Sequence, residues 1–176
     1  SYQYDYLIRQ DGPSAVTSSS LHYLASARIT STALYDGLMR QTQSQSQSGS
    51  SNRVVSETIY DTRGLAKAVR GPWVSTGLPA TGAVTAVDGS IDTIVTTAYD
   101  GAARPTRSTT FVYATEKWHT DMAYHGDSVD TIPPAGGIAT RTLTDARGRQ
   151  SALWQYRGST VGPEKDVTAY TYNNKD

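Results

Sequence analysis

The stretch Tyr60-Asp61-Thr62-Arg63-Gly64-Leu65 decides the reading of this chain, because its spacing is that of a tight turn between two strands. An aromatic closes the incoming strand. Asp at the first turn position can bond the backbone two residues on. Gly at the fourth takes the positive φ that a type I turn followed by a left-handed residue requires. Leu65 then opens the return strand. Three more segments share the pattern: Tyr35-Asp36-Gly37-Leu38-Met39-Arg40, Tyr99-Asp100-Gly101-Ala102-Ala103-Arg104 and Thr144-Asp145-Ala146-Arg147-Gly148-Arg149. A fifth, Tyr172-Asn173-Asn174-Lys175-Asp176, begins and is cut short. The starts lie 25, 39, 45 and 28 residues apart, which reads as one repeated unit separated by variable loops.

The copies differ in instructive ways. Met39 and Ala103 stand where Gly belongs, and a left-handed conformation costs such residues roughly 1–2 kcal/mol. Both copies carry Asp-Gly one pair earlier, so Gly37 and Gly101 are expected to absorb the positive φ instead. Across each hairpin, Tyr35 should meet Arg40 and Tyr99 should meet Arg104, ring against guanidinium. Thr144 replaces the aromatic in the fourth copy.

Composition supports a sheet. Leu, Ile, Val and Phe make up only about 16% of the 176 residues, a level that suggests disorder when net charge is high. Net charge is zero, and Tyr and Trp supply apolar surface in place of aliphatics. An all-β, Tyr-rich sheet with one wet face follows. The neutral balance gives no electrostatic footprint for nucleic acid, and no apolar run reaches the ~18 residues of a membrane span. Cysteine is absent, which excludes disulfides, thiol catalysis and thiolate metal sites. Ser1 is not an initiator Met, so the chain is read as part of something longer.

These residues resemble the YD-repeat, or Rhs, family of bacterial polymorphic toxins and animal teneurins, whose pattern is Tyr-Asp-x-x-Gly-Arg flanked by strands. Tyr60-Asp61-x-x-Gly64 and Asp145-x-x-Gly148-Arg149 match it best. Tyr4-Asp5-Tyr6, Arg9-Gln10-Asp11-Gly12-Pro13 and Pro133-Pro134-Ala135-Gly136-Gly137 are similar to the spacers of bacterial Rhs proteins. The resemblance covers nearly the whole chain as a single YD-repeat region, residues 1–176. It implies consecutive antiparallel hairpins forming one curved, spiralling sheet, part of a hollow β-shell around a C-terminal toxin or other cargo. It further implies a secreted or surface location in bacteria. The expected partners are the rest of the shell and its cargo, with open edge strands available to pair with another chain. No catalytic residue, cofactor or metal is expected. An extracellular adhesion or carbohydrate-binding module is the alternative.

Strands are expected around each turn: 28–34, 53–59, 90–98, 108–114, 139–143, 151–156 and 167–172. Residues 21–27 are the only stretch suited to a short helix. Residues 43–52, a Gln/Ser tract without large apolar residues, read as an exposed, mobile loop. Residues 71–82, 132–137 and 157–166 read as connectors, the first two rich in Gly and Pro.

Candidate chemistry is sparse. Leu78-Pro79-Ala80-Thr81-Gly82 spells a sortase-type LPxTG pentapeptide, but polar sequence follows it, and a Pro/Gly loop is the better reading. On a strand, His119, Asp121, His125 and Asp127 would share a face, though their spacing matches no strong metal motif. His22 is isolated and expected beside Tyr23. Asp127 and Asp130 could pair for acid–base work, yet turn chemistry accounts for most Asp here. No Gly-x-Ser-x-Gly elbow or phosphate loop occurs. Trp73, Trp118 and Trp154 are candidate glycan-contact aromatics if they line an open groove, and inter-hairpin packing residues otherwise.

Overall fold

The computed structural model describes residues 2–21 and 28–173. The proposed helix at 21–27 and the His22–Tyr23 contact fall outside them, except Leu21, which ends a strand. Among the described residues, thirteen strands hydrogen-bond in chain order in one open sheet, with β1 and β13 at its ends. They are β1 Tyr2–Leu7, β2 Ser14–Leu21, β3 Arg28–Tyr35, β4 Gln41–Ser48, β5 Asn52–Tyr60, β6 Ala66–Thr76 and β7 Ile94–Tyr99. The remainder are β8 Pro105–Val112, β9 Thr115–Tyr124, β10 Ser128–Ile132, β11 Thr140–Thr144, β12 Gln150–Tyr156 and β13 Lys165–Ala169. Neighbours pair antiparallel, as consecutive hairpins must. The helical content among the described residues is one 3-10 turn, Asp88–Ser90.

Two compact units divide the chain: Ser1–Thr96 with Phe111–Thr115, and Thr97–Thr110 with Glu116–Asp176. In the first unit, Val55, Trp73, Ile91 and Ile94 form an apolar cluster, with Val84, Ala86 and Phe111 packed against it. Most tyrosines stay out of the core. Tyr2, Tyr4, Tyr6, Tyr113, Tyr170 and Tyr172 are exposed, and Tyr156 is buried. Buried Thr32, Gln43, Gln45, Thr109, Ser128 and Asp130 take positions that aliphatics fill in an ordinary sheet.

The Gln/Ser tract is the largest departure from expectation. Residues 41–48 form β4, paired on both sides with β3 and β5. Polar composition reads as loop, but the ladder on both sides satisfies the backbone, and Gln43 and Gln45, two positions apart, turn inward. Residues 71–76 likewise continue β6. The register shifts between Val55/Trp73 and Glu57/Arg70, so Gly71 and Pro72 bulge from the ladder, where Pro needs no N–H partner. A Cβ on Gly71, which has φ +95°, would lie 2.8 Å from the Val55 carbonyl oxygen and from the Trp73 ring.

Candidate functional site

The repeated feature is a turn built around one carboxylate. At the first copy, Asp36 Oδ1 accepts the N–H groups of Leu38 (2.9 Å) and Arg40 (3.0 Å), and Oδ2 accepts Arg40 Nε (2.8 Å). The Asp36 N–H donates to the Arg40 carbonyl, and the Met39 N–H donates to the Asp36 carbonyl. Asp100 repeats this set with Ala102, Ala103 and Arg104. Asp145 repeats it with Arg147, Gly148 and Arg149. Asp61 keeps the main-chain set with Arg63, Gly64 and Leu65, but its side-chain partner is Arg63, because Leu65 stands in the Arg position. One side chain thus satisfies donors that a tight turn otherwise leaves to solvent.

The left-handed residue sits at the same place in all four: Met39 (φ 58°), Gly64 (φ 86°), Ala103 (φ 62°) and Gly148 (φ 76°). Gly37 and Gly101 do not take positive φ, contrary to expectation. The two N–H bonds to the carboxylate fix the geometry of the turn. The fourth residue must then be left-handed, whatever its side chain.

Electrostatics follow the hydrogen bonds. The Arg40 guanidinium, and then its N–H, hold the Asp36 carboxyl below its ordinary pKa. Asp61, Asp100 and Asp145 are lowered first by the backbone N–H of Leu65, Arg104 and Arg149 respectively. Desolvation opposes the shift in each turn and is outweighed.

The arginine does not stack on the tyrosine of its own hairpin. Arg40 lies over Tyr60 at 4.4 Å, Arg104 over Tyr124 at 4.3 Å and Arg149 over Tyr172 at 4.3 Å. Tyr60 and Tyr124 end the strand after the one that the arginine opens, and Tyr172 lies three residues past the end of β13, the corresponding strand. The Tyr hydroxyl then donates to the carbonyl just past the arginine: Tyr60 to Gln41 (3.0 Å), Tyr124 to Pro105 (2.9 Å) and Tyr172 to Gln150 (2.7 Å). The expected Tyr35–Arg40 and Tyr99–Arg104 stacks are therefore replaced by stacks from each turn to the next hairpin. Directly paired residues of an antiparallel hairpin close the turn, while the arginine bends back to its own Asp and presents its face outward to the adjacent strand.

This explains Thr144. The strand before the one that Thr144 ends, β10, follows a turn, Tyr124-His125-Gly126-Asp127, that has Asp127 where an arginine would stand. With no guanidinium to receive, the aromatic is dispensable. Thr144 instead donates its N–H (2.8 Å) and hydroxyl (3.1 Å) to the Asp127 carbonyl. A second regularity accompanies the turns. The register slips past Tyr35, Tyr60 and Thr144, leaving Thr42, Lys67 and Ser151 as the extra residues seven positions after each.

The remaining candidates are only partly brought together. His119 pairs with Glu116 (2.7 Å) and its Nε2 lies 3.7 Å from Asp121 Oδ2, while Asp121 forms a two-point bond with Arg107. β9 ends at Tyr124, so His125 and Asp127 lie in a turn and do not continue its face. His125 Nε2 lies 3.0 Å from Asp130 Oδ2, and buried Asp130 is held by Arg141 at 2.5 and 2.7 Å. Arg141 keeps the Asp130 carboxyl below its ordinary range, the wrong direction for a general acid near neutrality. Among the described residues no group of three His, Asp or Glu is placed to hold a metal, and no helix is long and apolar enough to cross a membrane.

The tryptophans do not act alike. Trp73 is buried in the first unit's apolar cluster. In the second unit, Trp154 lies between Arg141 (5.4 Å) and Lys165 (4.0 Å) on neighbouring strands. Trp118 is half exposed in an open cleft with Glu116, Lys117, His119 and Pro133–Ala135. Sequence reasoning missed Tyr124 and Arg141. The arginine-to-tyrosine interval of 20 residues, shared by 40/60 and 104/124, was the available signal for Tyr124. No protein-family model matches the chain, and no curated protein matches it in sequence.

Proposed function

We propose that this chain is a scaffold segment of a secreted or surface YD-repeat protein of the Rhs type, forming part of a β-shell around a C-terminal toxin or other cargo. The observation that carries the reading is the Asp–Arg–Tyr clamp, which ties three of the four turns to the chain that follows. A hairpin alone is marginal in water, and a long wall of hairpins needs contacts that recur between neighbours. The clamps are such contacts, and their residues are spent on turn and stack geometry, leaving no reactive group in them. The partners in this reading are the remainder of the shell and its cargo.

Cryo-electron microscopy of the intact parent protein tests it. The expected result is a hollow particle with this segment in its wall and density enclosed. A solid globule, or a segment projecting freely as a stalk, would sink the proposal. The exposed Trp118 beside Pro133 and Pro134 favours a second reading, an adhesion or glycan-binding module. A glycan array that gives specific hits abolished by Trp118→Ala would move the assignment there.

A further inference from the structure

Residues 77–93 join β6 to β7, and because β7 starts opposite Arg70 while β6 runs on to Thr76, a link of roughly 6–10 residues would suffice. The excess chain is fastened along its length by side chains of β4, β5 and β6. Arg53 Nη1 donates to the Leu78 carbonyl (2.9 Å). Gln45 accepts the Ala80 N–H (2.9 Å) and donates to the Gly82 carbonyl (2.8 Å). Gln43 accepts the Val84 N–H and donates to the Val84 carbonyl, both at 2.9 Å. Arg70 donates to the Ala86 carbonyl (2.6 Å) and reaches Asp88 (2.7 Å).

Every second residue from 78 to 86 is therefore gripped, and each of these grips is on the main chain. Period two is the signature of an extended segment. The reading side chains are built in: Gln43 is 2% exposed and Gln45 fully buried. Gln45 Nε2 also donates to Gln43 Oε1, and Arg53 donates to Gln45 Oε1, so these three form one network, while Arg70 pairs with Glu57. Of the gripped segment, Val84 and Ala86 also pack against the apolar cluster, while Leu78 is 49% and neighbouring Val87 75% exposed. At the two ends of the row, buried Arg53 Nε and Arg70 Nε have no hydrogen-bond partner.

We propose that Arg53, Gln45, Gln43 and Arg70 form a groove for extended polypeptide backbone, in which residues 78–86 are the occupant in cis. A second extended segment with small side chains at alternate positions, as Ala80, Gly82, Val84 and Ala86 are here, takes the same bonds when the strap leaves. The inference is independent of the shell proposal and holds or fails without it.

To test it, residues 78–87 are replaced by a short Gly-Ser turn, and a fluorescein-labelled peptide of residues 77–87 is titrated by anisotropy. The expected result is saturable binding, weakened at least about tenfold by Gln45→Ala, since two lost hydrogen bonds are worth that factor. A peptide N-methylated at the residues matching Ala80 and Val84 should fail, whereas a peptide that keeps Val84 and Ala86 in place and permutes the other small residues should bind within about threefold. No saturable binding to the folded variant, or binding indifferent to N-methylation, overturns the proposal. Should circular dichroism show the shortened chain unfolded, the full chain is given protease sites after Gly77 and Val87, nicked, and mixed with excess labelled peptide. Exchange of the strap seen by mass spectrometry supports the groove. A nicked strap that never exchanges overturns it.

Discussion

At the residue scale, the turn is governed by its aspartate, and the glycine follows. Asp36, Asp61, Asp100 and Asp145 each accept the N–H groups two and four residues on, and the third residue after each is left-handed even when it is Met or Ala. Met39 is mostly exposed, so little burial offsets its strain. Relieving a left-handed side chain gains roughly 1–2 kcal/mol, and the extra freedom of glycine in the unfolded chain returns about 0.5–1 of it. Met39→Gly and Ala103→Gly should each stabilise the fold by about 0.5–1 kcal/mol in urea denaturation. Gly148→Ala should cost a similar amount, because nothing lies within 4 Å of its Cβ position. Gly64→Ala should cost more, because its Cβ would stand 2.8 Å from Arg40 Nη1 and push the guanidinium off Tyr60. Equal losses at Gly64 and Gly148 would remove the steric argument. The sequence made the aspartate legible because its chemistry is local. It misled on Gly37 and Gly101 because glycine permits a conformation without demanding it.

At the element scale, the strands beside the turns were legible from their apolar and β-branched residues, but two features were not. β4 is written in Gln, Thr and Ser, and its identity as a strand comes from β3 and β5 on either side. Tertiary pairing overrides composition there, and the inward Gln amides meet the 77–93 segment, a partner some 40 residues away that no local window contains. The clamp was half legible. Arginine and tyrosine were recognised as partners, but their pairing was assigned within a hairpin when it runs to the next one. Arg104 and Tyr124 make the cleanest test, since Tyr124 also bonds the Pro105 carbonyl. Tyr124→Phe should cost about 1 kcal/mol, the net worth of one hydrogen bond. A double-mutant cycle of Arg104→Ala with Tyr124→Leu should give a coupling energy of about 0.5–1 kcal/mol, as for an exposed cation–π pair. The same cycle on Arg104 and Tyr99 should give a smaller coupling. A larger coupling to Tyr99 would return the stack to its own hairpin.

At the scale of the whole molecule, both units depend on carboxylates held in the charged form. Asp36 and Asp61 in the first unit, and Asp100, Asp121, Asp130 and Asp145 in the second, all have pKa values lowered by N–H or guanidinium partners. A carboxyl lowered on folding stabilises the native state at pH above its unfolded pKa, near 3.9, and that stability is lost as pH falls through the folded value. As far as these groups are concerned, the urea midpoint should be level between about pH 6 and 8 and fall steeply below about pH 5. Asp130 is the most informative member, because it is 4% exposed and carries Arg141 on two bonds. Asp130→Asn keeps the shape and removes the charge, leaving Arg141 without its counter-ion, at a cost of about 2–3 kcal/mol at pH 7. Lowering the pH protonates Asp130 in the parent chain and brings the two proteins toward the same charge, so the gap between them should narrow as the pH falls below the unfolded value near 3.9. A gap that stays constant from pH 7 to 2 would mean that shape and hydrogen bonding hold Arg141 in place, and that the ionised carboxylate contributes nothing beyond them.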